Sequence, residues 1–240
     1  MITPHADVVG SLLRPPELLK AREQLATGTI TAGQFKEIED KAVDDAIALQ
    51  EEVGLEVLTD GEMRRESFQS QMTAAVGGFS EFTLDAFLWG DWHDERGLHR
   101  KRRPAKLGVA RKLVRRRYLS VDELIYLKSK TKRIPKITLP SPGLWVNFWS
   151  PQRSQKAYPT LDAYFVDIVK ILREEVAQLA RLGATYIQLD APHYGLLLDP
   201  KSRSFYVRQG WSLEKWLRAG IELDNAVIEG FPEVTFGFHV

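Results

Sequence analysis

Glu62 and Asp190 each stand at the end of a short apolar stretch, in "LEVLTDGE" and "TYIQLD". Two carboxylates on one rim suit the holding of a cationic amine, or acid–base work. Either one alone serves as well to cap the next helix or to bind a loop lysine. His239 closes a third such stretch, "TFGFHV". A histidine in that position is a satisfied core residue or a metal ligand, and no HxH, HxxxH or CxxC spacing in the chain decides between the two. His193, in "DAPHY" just beyond Asp190, is a candidate of the same kind. Trp145, Phe148 and Trp149 in "GLWVNFWSP" read either as core aromatics or as a stacking platform for a flat heterocycle.

The elements that must position these residues repeat one design. "TAGQ" at 31–34 has the form of a capping box. Apolar residues follow at helical spacing: Phe35, Ile38, Ala42, Ala46, Leu49 and Val53. Gly54 supplies a left-handed cap, and the strand ending at Glu62 comes at once. A second stripe of Leu161, Phe165, Ile168, Leu172, Val176 and Leu179 is closed by Gly183 and leads into the Asp190 strand. Further strands are expected at 7–11, at 135–143 and, more weakly, at 106–113. Further helices are expected at Val121–Lys130 and at 213–229.

Helix, glycine, short strand, polar residue: that order implies parallel strands with helical crossovers. Polar residues collect at the strand ends (Ser11, Glu62, Asn147, Asp190 and His239), as in a (β/α)8 barrel of the TIM type. No Gly-rich phosphate loop points to a doubly wound sheet instead. The reading is an α/β chain with about six of eight barrel strands present. It forms one incomplete catalytic barrel domain over 1–240, with a helical and basic insertion around 80–118.

Composition narrows the function classes. The 240 residues are 44% hydrophobic and 27% charged with a net charge of +1, so no global field favours nucleic acid or a membrane. There is no cysteine, which removes disulfides and any thiolate metal ligand from this chain. Neither a signal peptide nor a spanning segment is legible, and a cytoplasmic location is expected. Residues 96–117 hold eleven Lys or Arg. They read as a solvated face first, as a patch for a polyanionic substrate tail second, and as a nucleic-acid surface third.

Taken in order, "VVGSLLRP", "QEEVGLEVLTDGEMRRESF", "YIQLDAPHY" and "FGFHV" resemble the catalytic barrel of the cobalamin-independent methionine synthase superfamily. The resemblance implies a methyl or alkyl transfer to a small thiol such as homocysteine, made nucleophilic by zinc. It implies that Val9, Gly10 and Ser11 hold the amino-acid carboxylate, that Glu62 and Asp190 hold the ammonium, and that Trp149 stacks on a folate. His239 falls where the first zinc ligand stands, the histidine of a His-x-Cys pair. On that reading the chain stops one residue before the cysteine, with two strands and the remaining ligands still to come. Zinc binding is then expected to be weak or absent and the chain alone inactive, with self-association through open strand edges. The glutamate of the family's Asp-Glu-Pro is Ala191 here, and a later carboxylate falls at Leu196. Both departures weigh against folate as the donor. The alternative is a non-catalytic barrel, or an inactive fragment of such an enzyme, that binds a small molecule.

Overall fold

The computed structural model describes residues 6–81, 91–93, 99–101 and 107–240. Four strands build its main sheet: β1 (Val57–Leu58), β6 (Ile134–Pro140), β7 (Tyr186–Asp190) and β8 (Thr235–His239), in the order β1-β6-β7-β8. All three pairings are parallel, and Pro140, Asp190 and His239 lie side by side at the ends of their strands. The longest helix in each of the three connections is α4 (Val121–Lys130), α5 (Leu161–Arg181) and α8 (Leu213–Ile228) in turn. This is the expected α/β arrangement of barrel type, with every strand end facing one way.

Strand alternation sorts the two faces. Ile137, Leu139, Ile187 and Leu189 are buried in one core with Phe165, Ile168, Leu172 and Val176 of α5. Each such side chain contributes about 1.5–3 kcal/mol by leaving water. Lys136, Thr138, Gln188 and Asp190 alternate with them and occupy the opposite, interior face, where all four are buried. A barrel interior is usually filled by branched apolar residues. Here it is polar, and its hydrogen bonds must be satisfied internally.

The helical patterns hold with one rotation. Every residue of the expected α5 stripe is buried. In α2 (Ala32–Glu52) the capping box forms, with Gln34 donating its backbone N–H to Thr31 Oγ1 at 3.2 Å and Thr31 N–H donating to Gln34 Oε1 at 2.9 Å. Its buried face is Ala42, Val43, Ala46, Ile47 and Gln50, whereas Leu49 is 53% exposed and Val53 64%. The stripe turns toward Gln50 because that side chain binds the backbone of Thr59 from both ends, at 2.8 and 3.0 Å.

Two expected barrel strands are corrected. Residues 7–11 pair with no described strand. They run extended across the interior face, fastened by side chains: Gln188 Nε2 donates to Val9 O at 2.7 Å, and Lys136 Nζ meets Asp7 Oδ2 at 3.1 Å. Leu12 N–H donates to Gly61 O at 3.1 Å. The stretch at 106–113 is a strand, β5 (Leu107–Arg115), but it pairs antiparallel with β2 (Val76–Glu81) in a separate two-stranded sheet. The pair carries an irregularity between Gly77 and Phe79, where Gly78 takes φ 117° against the carbonyls of Arg111 and Lys112. β3 (Asp91–His93) and β4 (His99–Lys101) form a third sheet. The described part of the 80–118 region is therefore strand rather than helix. The rest of it, including residues 96–98 and 102–106 of the basic run, lies outside the described residues.

Candidate functional site

The turn after β1 carries Glu62 in an unusual backbone conformation. Gly61 has φ 67° and Glu62 φ 54°, the latter the one non-glycine residue with positive φ among those described. Such a conformation costs of order 1–3 kcal/mol and persists where surroundings fix it. They do so here. Thr59 Oγ1 accepts from Gly61 N–H at 3.1 Å, Asp60 Oδ1 accepts from Glu62 N–H at 2.8 Å, and Arg14 Nη2 donates to Glu62 O at 3.1 Å.

The carboxylate so placed is held by three donors. Glu62 Oε1 accepts from Thr138 Oγ1 at 2.7 Å and from Arg65 Nη1 at 3.0 Å, and Oε2 accepts from Ser11 Oγ at 2.5 Å. Arg65 is buried and also forks onto Glu123, Nε to Oε1 at 3.0 Å and Nη2 to Oε2 at 2.6 Å. Asp60, Glu62 and Glu123 thus surround one guanidinium. Burial, with the Glu123 charge adding to it, pushes Asp60 up to about 7, while Arg65 works in the opposite direction. Asp60 Oδ2 is buried without a partner among the described residues. The cluster is rich in negative charge and poor in cations.

Asp190 faces the same space. Its Oδ1 accepts from Gln188 Nε2 at 2.7 Å and lies 3.3 Å from His239 Nδ1. Burial raises its carboxyl above the usual range, Gln188 opposes the rise, and the charge of Glu62 adds to it. Glu62 and Asp190 therefore interact. A cation there would oppose the rise at Asp190.

The other candidates divide. Ser11 joins Glu62 directly, and Val9 is tied to Asp190 through Gln188. Gly10 lies between them, and a Cβ there would meet nothing within 4 Å. Trp149 is 5% exposed and stacks on Tyr164 at 5.4 Å, so one face of its ring belongs to the core. Trp145 and Phe148 are buried beside it, and Asn147 is buried in the same 3₁₀ turn, Pro142–Phe148. His193 is fully buried, its ring tilted against that of Tyr194 with centroids 4.2 Å apart, and neither ring nitrogen is partnered among the described residues. Burial holds its imidazole down to about 3, so it is neutral and a packing group.

Sequence reasoning missed the partners: Arg65, Thr138, Gln188, Lys136, Asp60 and Glu123. Gln188 was within reach, since it precedes Asp190 by two and must share its face. Thr138 is its register neighbour, which only the pairing reveals.

The zinc implied by the family resemblance can be tested against the donors. A structural or catalytic zinc takes three or four nitrogen, sulfur or oxygen ligands. His239 and Asp190 are two, and the described residues contain no group of three or more His, Cys, Asp or Glu suited to a metal. The described residues do not make up a zinc site by themselves.

Residues 3–227 match the catalytic-domain family of the cobalamin-independent synthases. The chain belongs to that family. The matched residues include Ser11, Glu62 and Asp190 and stop before β8. Among relatives of this synthase family, the chain is 30% identical over 186 residues to a methionine synthase of Pyrococcus horikoshii, covering 77% of this chain and 51% of the relative. It is 29% identical over 214 residues to a 5-methyltetrahydropteroyltriglutamate–homocysteine methyltransferase of Thermosynechococcus vestitus, covering 89% and 26%. Among solved structures it resembles a protein described as a vitamin-B12-independent methionine synthase from Listeria monocytogenes. The TM-score is 0.71 at 21% identity, over 98% of this chain and 64% of that one, a likeness that shows the fold. The chain spans about half the length of the first curated relatives it matches. Among the described residues no helix is long and apolar enough to cross a membrane.

Proposed function

We propose that this chain supplies the amino-acid-binding part of a methyl or alkyl transferase acting on a small thiol such as homocysteine. One observation carries the reading. Asp190 is raised by burial, with the charge of Glu62 from a separate strand end adding to the rise, in a buried space where Arg65 is already shared between Glu62 and Glu123. An α-ammonium group placed between Glu62 and Asp190 answers that excess charge. The Val9-Gly10-Ser11 bend lies beside both carboxylates, and its open Gly10 suits the approach of the amino acid's carboxylate. The names of the relatives favour homocysteine as the acceptor and a methyltetrahydropteroyl compound as the donor. Ala191 and Leu196 leave the donor end without the acids that the resemblance leads one to expect, so an alkyl donor other than folate fits as well.

The incomplete donor set around His239 favours a second reading, a barrel that binds the amino acid without carrying out transfer. Calorimetric titration of the 240-residue chain with L-homocysteine and L-methionine, with and without zinc, separates the two. Transfer chemistry predicts that zinc tightens homocysteine alone; the binding barrel predicts that zinc changes neither. Asp190→Asn should weaken both ligands about tenfold or more, the size of a lost charged hydrogen bond. Binding untouched by that change would refute the site.

A further inference from the structure

Lys136 and Gln188 lie beneath Asp190 on the interior face of the sheet, and no role in the proposed chemistry has been given to either. Lys136 is fully buried on β6. Its Nζ donates to Gln188 Oε1 at 2.8 Å and pairs with Asp7 Oδ2 at 3.1 Å. Gln188 in turn donates from Nε2 to Val9 O at 2.7 Å and to Asp190 Oδ1 at 2.7 Å.

An ammonium group has donors and no acceptor, so the end of the Gln188 amide that meets Lys136 must be the oxygen. A carbonyl and a carboxylate have acceptors only, so the end that meets Val9 and Asp190 must be the nitrogen. Three independent partners therefore impose one orientation on an amide that is otherwise free to turn over. Turned the other way, Gln188 would set an oxygen against Asp190 and against Val9 O, and its NH2 against the lysine. Every one of the three contacts would become repulsive.

We propose that Lys136 is a positioning residue for the amine site: it locks the Gln188 amide so that Nε2 always faces Asp190 Oδ1, which leaves Oδ2 as the oxygen offered to a ligand. The lysine acts through the amide, not on the carboxylate directly. The same lock sets the opening segment, because Val9 O and Asp7 are its other two partners. The inference rests on reading Asp190 as an ammonium acceptor, but its test does not need a ligand.

The experiment follows the two Nε2 protons of Gln188 by nitrogen-15 NMR in the full chain, their signals assigned with Gln188→Leu. Both are donated, to Val9 O and to Asp190 Oδ1, and should exchange with solvent slowly. Lys136→Met frees the amide, and their exchange should quicken about tenfold or more while the amides of α5 stay protected. Unchanged exchange in Lys136→Met overturns the proposal, and so does a loss of protection shared equally by α5, which would make the lysine a structural residue only. Should Lys136→Met fail to fold, Lys136→Gln decides. It keeps a donor for Gln188 Oε1 but drops the charge, so the exchange should stay as slow as in the wild type. Faster exchange there would mean that charge, not orientation, is what the lysine supplies. If the exchange behaves as expected and no amino acid binds, the reading of the site falls and the lock stands.

Discussion

Ser11 Oγ donates to Glu62 Oε2 at 2.5 Å across 51 positions of sequence, and with it the opening segment becomes a wall of the carboxylate cluster. Glu62 is then held from three directions, by Ser11, Thr138 and Arg65.

Removing the charge should show what that hold is worth. Glu62→Gln leaves the buried Arg65 with Glu123 as its one ion-pair partner, and breaking a buried pair from one side costs about 3–5 kcal/mol. Ser11→Ala removes a single hydrogen bond to a charged group, worth about 1.5–3 kcal/mol. Urea denaturation should rank Glu62→Gln as the more damaging of the two. The reverse order would mean that the arginine is held chiefly by Glu123.

Asp60 should set part of the pH dependence of stability. Its carboxyl is near 4 when unfolded and pushed up to about 7 when folded. Below both values the group is protonated in both states and contributes nothing. Between them only the unfolded chain releases the proton, so stability falls as pH rises from about 4 to about 7 and levels off above that. The loss is of order a few kcal/mol. Asp190, Asp224 and Glu175 are raised as well, burial being the first cause each time, and act with the same sign. Asp60→Asn should flatten the profile in thermal melts between pH 4 and 7. An unchanged slope would place the effect on those other three.

Gly143 is glycine for lack of room. A Cβ there would lie 2.3 Å from His193 Nε2. Gly143→Ala should destabilise the protein by about 1–3 kcal/mol through overpacking. His193→Ala opens the space, so the double variant should lose less than the sum of the two single changes. Simple additivity in chemical denaturation would show that the ring moves aside without cost.

The outer edge of β8 should associate. Its inner edge pairs with β7, no described strand pairs with the other, and Phe238 is 44% exposed there. Unpaired edges of this kind recruit strands from other chains. Sedimentation should show concentration-dependent self-association, reduced by Phe238→Lys. A monodisperse monomer at all concentrations would refute this.

What the sequence disclosed depended on whether the signal was local. The stripe of α5 was legible because Leu161 to Leu179 recur at one period and end at Gly183, and all of them are buried. Glu62 and Asp190 could be placed at strand ends because each closes an apolar run. The N-terminal stretch misled, since "DVVGS" has strand composition but its Val9 carbonyl is claimed by the Gln188 side chain, and the Leu12 N–H that follows by Gly61, rather than by a ladder. β5 misled in a different way. It is a strand, but its partner β2 begins in "VGGF", where two glycines disguise the pairing. The ring of groups around Arg65 was invisible because it joins residues up to 76 positions apart, and pairings at that distance leave no periodicity.

The attachment of residues 7–12 by a handful of side-chain bonds makes their docking a local equilibrium, separable from global unfolding. Each undocking takes Ser11 from Glu62 and Val9 from Gln188 at the same moment, and the proposed amine site is dismantled while the sheet remains whole. Occupancy and docking are then one thermodynamic variable read in two places. An amino acid bound between Glu62 and Asp190 should slow hydrogen exchange at Leu12 N–H, whose bond to Gly61 O fastens the end of the segment, and leave the amides of α5 unchanged.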